Sequence, residues 1–195
     1  MNLGELKTLL AEYMHRDDLT DVLGGFISLA TQRIGRDLKS QFNQIILDPF
    51  EPTTPIFDLP SDYRGMKDLS YSQGEVQVEL HAANQSSVKA FQSTGARPMV
   101  YSVIGTRIEI RPFQAKEFRL IYYNAPQDLV AADDTNEVLT NYPYLYLYAS
   151  LVEAFFYTQD GGGRDQALQT YSAEVEAVNT QSANADAGAR ISIRG

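Results

Sequence analysis

Tyr142-Pro143-Tyr144-Leu145-Tyr146-Leu147-Tyr148-Ala149-Ser150-Leu151-Val152-Glu153-Ala154-Phe155-Phe156-Tyr157, followed by Gly161-Gly162-Gly163, decides the class of this chain. The apolar stretch is shorter than the roughly 20 residues a membrane helix needs, and Glu153 sits inside it, so it reads as a core helix. Pro143 belongs in the first turn, where a missing N–H costs nothing, with Asn141 as the expected cap. Leu145, Tyr146, Ala149, Val152 and Phe156 make the expected buried stripe. The three glycines are expected to close the helix with a left-handed cap. A second amphipathic helix, from Arg164 to about Ala183, carries Leu168, Tyr171, Val175 and Val178, which predicts an antiparallel helical hairpin.

Working toward the N-terminus, helical spacing recurs in two runs. Leu3, Leu6, Leu9/Leu10 and Tyr13 form the first; Leu19, Val22, Leu23, Phe26, Ile27, Ala30, Ile34 and Leu38 form the second, after the polar break His15-Arg16-Asp17-Asp18. Between Asp48 and Pro126 the period changes to two. Seven of the eight prolines fall there, with alternating runs at Val76–Leu80, Met99–Ile104, Arg107–Arg111 and Phe118–Tyr123 and a tight hairpin at Gly105-Thr106. A short helix is expected at Ala83–Gln92.

The expected fold is therefore α+β and mainly helical: an antiparallel helical bundle with a small β-rich insert and an extended C-terminal arm. Residues 1–45 supply the N-terminal helices, 46–126 the insert of about four or five strands, 127–183 the helical hairpin that completes the bundle, and 184–195 the arm. In that arm Asn184 to Gly188 is small and polar. Ile191 and Ile193 alternate with Arg190, Ser192 and Arg194, the period of a strand. Two readings stand for it: a frayed tail, or a strand that adds to a partner.

The 195 residues hold 16 Lys and Arg against 25 Asp and Glu, a net charge of -9, with no Cys and no Trp. Without cysteine there is no disulfide, thiolate nucleophile or Cys-based metal site. Scattered basic residues on an acidic chain do not wrap nucleic acid. The first residues lack a signal-peptide pattern, so the chain is expected to start at residue 1 or 2. His15 and His81 read as surface histidines, the glycine run as a turn, and Asp17-Asp18 and Asp133-Asp134 as solvated charge, since neither pair has calcium-loop spacing. Neither a catalytic residue, a cofactor site nor a metal site emerges. Tyr142, Tyr144, Tyr146 and Tyr148 cannot form one stacking platform, because successive odd positions on a helix point about 200° apart. Tyr144 and Tyr148, four apart, share a side and are the candidate subunit-interface residues.

Three stretches in order carry a resemblance. They are Asp18-Leu19-Thr20-Asp21-Val22-Leu23 with Phe26-Ile27 and Gln32-Arg33-Ile34; Leu59-Pro60-Ser61-Asp62-Tyr63; and Leu139-Thr140-Asn141-Tyr142-Pro143-Tyr144 running into the helix hairpin. Over nearly its whole length the chain resembles the head-to-tail adaptor (tail accessory, or head completion) proteins of tailed bacteriophages. The resemblance implies a non-enzymatic virion protein of the neck, assembled in the host cytoplasm. It implies a ring of twelve copies under the portal protein, extending the DNA channel used in ejection and giving the tail tube or nozzle its platform. DNA would pass without specific binding, and no membrane or cofactor is involved. Arg190, Ile191, Ser192, Ile193 and Arg194 would then dock on the portal. The rival readings are another neck or tail protein, such as a terminator or stopper, and a virion-associated cell-wall hydrolase.

Overall fold

The computed structural model describes residues 1–16, 18–91 and 96–191, residues 186–191 by backbone alone. Two compact units divide it: residues 1–43 with 125–195, and residues 44–124.

The first unit is helical. α1 (Leu3–Met14) starts at a capping box in which Asn2 accepts from the Glu5 N–H at 2.9 Å and Glu5 accepts from the Asn2 N–H at 3.0 Å. It buries Leu3, Leu6, Leu10 and Met14, and ends on His15 in the left-handed region at φ 51°. Asp17 lies outside the described residues. α2 (Leu23–Asp37) buries Leu23, Phe26, Ile27, Ala30, Thr31 and Ile34. A 3-10 turn (Gln41–Asn43) follows, where the buried Asn43 accepts from the Ser40 N–H and donates to the Leu38 carbonyl.

After the insert, three further helices complete this unit. The sequence predicted one helix from Asn136 onward with Asn141 as the main cap. Instead Asn136 caps a short helix (Glu137–Asn141), and Asn141 turns its side-chain amide back to the Glu137 carbonyl. The long helix Pro143–Tyr157 then begins on proline. The glycine run does not close it: Gln159 takes the left-handed position at φ 58°, and the glycines open the last helix, Gly161–Ile191, with Asp160 accepting from the Gly163 N–H at 3.0 Å. An acidic N-cap outweighed glycine's preference for helix ends.

The last helix is also a correction at its far end. Its backbone stays helical through Ile191, past the predicted stop at Ala183, so no extended arm starts at Asn184. Ala183, Ala185, Ala187 and Ala189 supply helix propensity that two isoleucines at strand spacing do not override. Ser192, Ile193, Arg194 and Gly195 lie outside the described residues.

The second unit holds two four-stranded sheets. One runs in the order β1 (Gln44–Ile46), β8 (Phe118–Asn124), β3 (Tyr63–Gln73), β4 (Val76–Glu79). The other runs β2 (Ile56–Asp58), β7 (Arg107–Arg111), β6 (Val100–Ile104), β5 (His81–Ala82). Pairs are antiparallel except β5 with β6. A short helix, α3 (Gln85–Ala90), precedes β6. The two sheets enclose one core, to which Leu69, Tyr71, Phe118 and Leu120 come from the first and Tyr101, Ile108 and Ile110 from the second. Eight strands replace the four or five predicted. The longest, β3, was missed because register shifts between Tyr63 and Gly65 and between Met66 and Asp68 break its alternation. Gly105, at φ 60°, makes the β6–β7 hairpin as the sequence predicted.

In chain order the helices of the first unit after the insert are α4 (Glu137–Asn141), α5 (Pro143–Tyr157) and α6 (Gly161–Ile191). Leu145, Tyr146, Ala149 and Val152 of α5 are buried at the centre of the helical core, against Leu6 and Leu10 of α1, Ile27 and Ile34 of α2, and Tyr171 and Val178 of α6.

Candidate interaction surface

α5 is enclosed for three turns and then emerges. Leu145 to Val152 are almost all buried, but Phe156 is 67% and Tyr157 58% exposed. This corrects the reading that put Phe156 in the buried stripe. Phe155, Phe156 and Tyr157 are consecutive, about 100° apart around the helix, so three aromatics in a row cannot all face one core.

Phe156 and Tyr157 stand over a groove of about 600 Å³ between the first half of α2, the end of α5 and the start of α6, lined also by Phe26, Leu29 and Arg164. A second hollow of about 320 Å³ continues it past Arg33, Val152 and Leu168. Leu29 is half exposed and Leu168 lies at the lip, while Phe26 and Tyr157 hold each other with ring centroids 5.4 Å apart. Across the groove Arg33 donates to Glu153 Oε1 through both Nε, at 3.1 Å, and Nη2, at 2.5 Å. Both side chains are mostly shielded, which makes this a partly desolvated, charge-assisted contact and not a loose surface pair. The result is an apolar trough with one fixed ion pair, and several large apolar side chains left in water.

Further along, α6 is fastened to the end of α2. The Tyr171 hydroxyl donates to Asp37 at 2.9 Å, and Asn179 accepts from the Lys39 N–H at 2.6 Å and donates to the Asp37 carbonyl at 3.0 Å. Burial first, then the neighbouring Asp37 carboxylate, push the Tyr171 phenol well above its ordinary value, so it stays a donor.

The two predicted interface tyrosines lie on α5 outside this groove. Tyr144 is 57% exposed, whereas Tyr148 is half-buried against the helical core. Of the predicted portal-docking residues, Arg190 and Ile191 belong to the last turn of α6, and Ser192, Ile193 and Arg194 lie outside the described residues. The groove was missed because it joins α2, α5 and α6, three segments whose neighbourhood no spacing rule gives. Among the described residues no group of three or more His, Asp or Glu side chains is gathered as a metal cage, and no helix is long and apolar enough to cross a membrane.

A surface of uncovered apolar side chains is the chemistry of association. A family model described as SU10 adaptor protein matches residues 1–194. The chain belongs to the SU10 adaptor protein family. These are phage head-to-tail adaptors, structural proteins of the virion, as the sequence resemblance implied. No curated protein matches the chain in sequence.

Proposed function

We propose that this adaptor forms a homo-oligomeric ring in the virion neck, between the portal protein and the tail tube or nozzle, and extends the DNA channel there. The copy number of twelve comes from the family resemblance. The observation that carries the reading is the groove: Leu29, Phe156, Tyr157 and Leu168 leave the isolated chain with apolar surface that a neighbour would cover. Rings close through heterologous contacts, one patch meeting a different patch on the next copy. A net charge of -9 suits a wall past which DNA moves without being held.

The C-terminal end of α6 is the proposed portal contact. α6 has 31 residues against the 15 of α5, about 46 Å against about 22 Å, so its end outruns the helix it packs on. Arg190 falls in the last turn of α6, and Arg194 follows in the sequence of an otherwise acidic chain. Deleting Ala189 to Gly195 is expected to leave a folded protein that no longer joins DNA-filled heads; unchanged binding to isolated portal would refute the assignment. For the ring itself, image reconstruction of the particle neck is the test. A closed ring between portal and tail is expected, and a single copy, or a location away from the portal, would overturn the proposal.

A further inference from the structure

The most exposed large apolar side chain among the described residues is Val130, at 82%, and it does not sit on a loose loop. The Asp134 carboxylate accepts from the Val130 N–H at 2.7 Å and the Ala131 N–H at 2.8 Å, and these bonds hold its pKa below the ordinary carboxylate range. The loop is tied at three further places. The Leu3 and Gly4 N–H groups donate to Asp134 and Ala132 carbonyls at 2.9 and 2.8 Å, Asn136 donates to the Gln127 carbonyl and to the Tyr146 hydroxyl, and Leu129 packs on the helical core. Fixing a backbone so thoroughly while leaving its valine in water is the arrangement of a preorganised knob.

We infer that in the ring this loop of one copy seats Val130 in the α2–α5–α6 groove of the next copy. The inference rests on the ring reading above and supplies its two unlike patches. Knob and groove belong to one helical unit but to different ends of it: the loop is held at the first turn of α5, by Tyr146, and the groove lies at the last, by Phe156, about 15 Å further along. Such a pair cannot satisfy itself within one chain, and it propagates from copy to copy.

Charge beside the groove suits the same occupant. Residues 127–137 contain Asp128, Asp133, Asp134 and Glu137 and no basic residue. Residues 1–43 with 125–195 hold only 8 Lys and Arg against 16 acids, yet Arg33 and Arg164 line the groove. Arg36 is exposed two turns along α2 from Leu29 and makes no ion pair among the described residues. The groove's lining charges are already engaged, Arg33 with Glu153, Arg164 with Asp165, and Asp160 with the start of α6. Among the described residues Arg36 is thus the exposed cation left on this face of α2, and an acidic loop with an apolar crest meets it and the apolar trough together.

The chain has no cysteine, so introduced pairs report only on the contact. In virions assembled with Val130→Cys/Leu29→Cys or Val130→Cys/Leu168→Cys chains, mild oxidation should give a ladder in multiples of 21.8 kDa. A Val130→Cys/Val76→Cys control, with its second thiol in the β unit, should give none. Val130→Asp should fold with an unchanged melting midpoint, and its incorporation into particles in competition with the parent chain should fall about tenfold or more. Rings in the neck with no ladder from either groove pair, a ladder equally strong in the control, or undiminished incorporation of Val130→Asp would overturn this contact while leaving the ring standing. Absence of any ring in parent particles would overturn the ring reading and this contact with it.

Discussion

The helical unit and the β unit solve the problem of burial differently. The helical unit is made from both ends of the chain, and its 16 acids against 8 bases give it a net charge of -8. The β unit is one continuous segment with 9 acids against 8 bases, net -1. Their buried clusters share no residue. Two cores without common members are expected to respond separately to damage. The helical unit carries nearly all the net charge and the apolar groove, and it pairs segments more than 100 residues apart, as in Arg33 with Glu153. The β unit combines the local hairpins β3–β4 and β6–β7 with wider pairings, the widest joining Gln44 to Tyr123. The groove thus lies in the unit whose assembly demands the longest loop closure, across the whole insert, although exposed apolar side chains such as Ile46 and Val76 also stand on the β unit.

The comparison would break most visibly under core truncation. Leu6 and Ile110 are both fully buried, one in each cluster. Leu6→Ala and Ile110→Ala should each cost about 3 kcal/mol. Hydrogen exchange read residue by residue should show each loss confined to its own unit. If either substitution lowers protection in both units equally, the chain unfolds as one body and the separation fails.

The Arg33–Glu153 contact comes next, at about 2 kcal/mol for Arg33→Ala, because Glu153 is left partly desolvated without its partner. Arg33→Met with Glu153→Leu should recover most of that loss, since an apolar pair suits the groove. A double-mutant cycle by urea unfolding checks it. Failure of the double variant to recover would mean that the pair positions helices that packing alone does not hold.

Alkaline titration sharpens the contrast between the units. Burial, and then the hydrogen bond donated to Asp62 at 3.0 Å, push the Tyr122 phenol up to about 12. The folded value is raised above the unfolded one near 10, so this contribution is fully present below pH 10 and is lost as pH rises toward 12. Tyr122→Phe should remove that alkaline loss in the β unit, at a cost of about 1 kcal/mol at neutral pH. Tyr171→Phe should do the same for the helical unit alone. Tyrosinate absorbance followed alongside unfolding would show which unit loses its structure first.

How far the sequence could be read follows from the same contrast. Helical stripes such as Leu3, Leu6 and Leu10 are local patterns and came through. So did the Gly105 hairpin, where one residue's backbone freedom sets the turn. β3 did not, because its bulges erase the alternation that betrays a strand. Phe156 was misplaced because its inward periodicity holds while the neighbours needed to cover it run out. The helical course of residues 184–191 was hidden by the isoleucines at strand spacing. Val130 was invisible: an ordinary apolar residue becomes a knob only through Asp134, Leu3 and Gly4, contacts that a linear reading does not contain.

The smallest expected effects lie in the glycines, and they oppose the two units directly. In the helical unit Gly161 and Gly162 occupy the first turn of α6, and a methyl group on Gly161 would meet nothing within 4 Å. Alanine there lowers the freedom of the unfolded chain without strain, so Gly161→Ala should stabilise by about 0.5 kcal/mol. Gly163 differs although it is two residues away. A methyl group there would lie 2.6 Å from the Asp160 carboxylate and 3.1 Å from the Phe155 ring. The carboxylate would have to leave the cap, so Gly163→Ala should cost about 1 kcal/mol. In the β unit Gly105 also has open space around it, yet its φ of 60° is one that alanine adopts only with strain. Gly105→Ala should therefore cost about 1 kcal/mol despite the room available. Melting curves for the three variants separate space from backbone: a stabilising Gly105→Ala would mean that the hairpin relaxes to another turn, and a neutral Gly163→Ala would mean that Asp160 is not what starts α6.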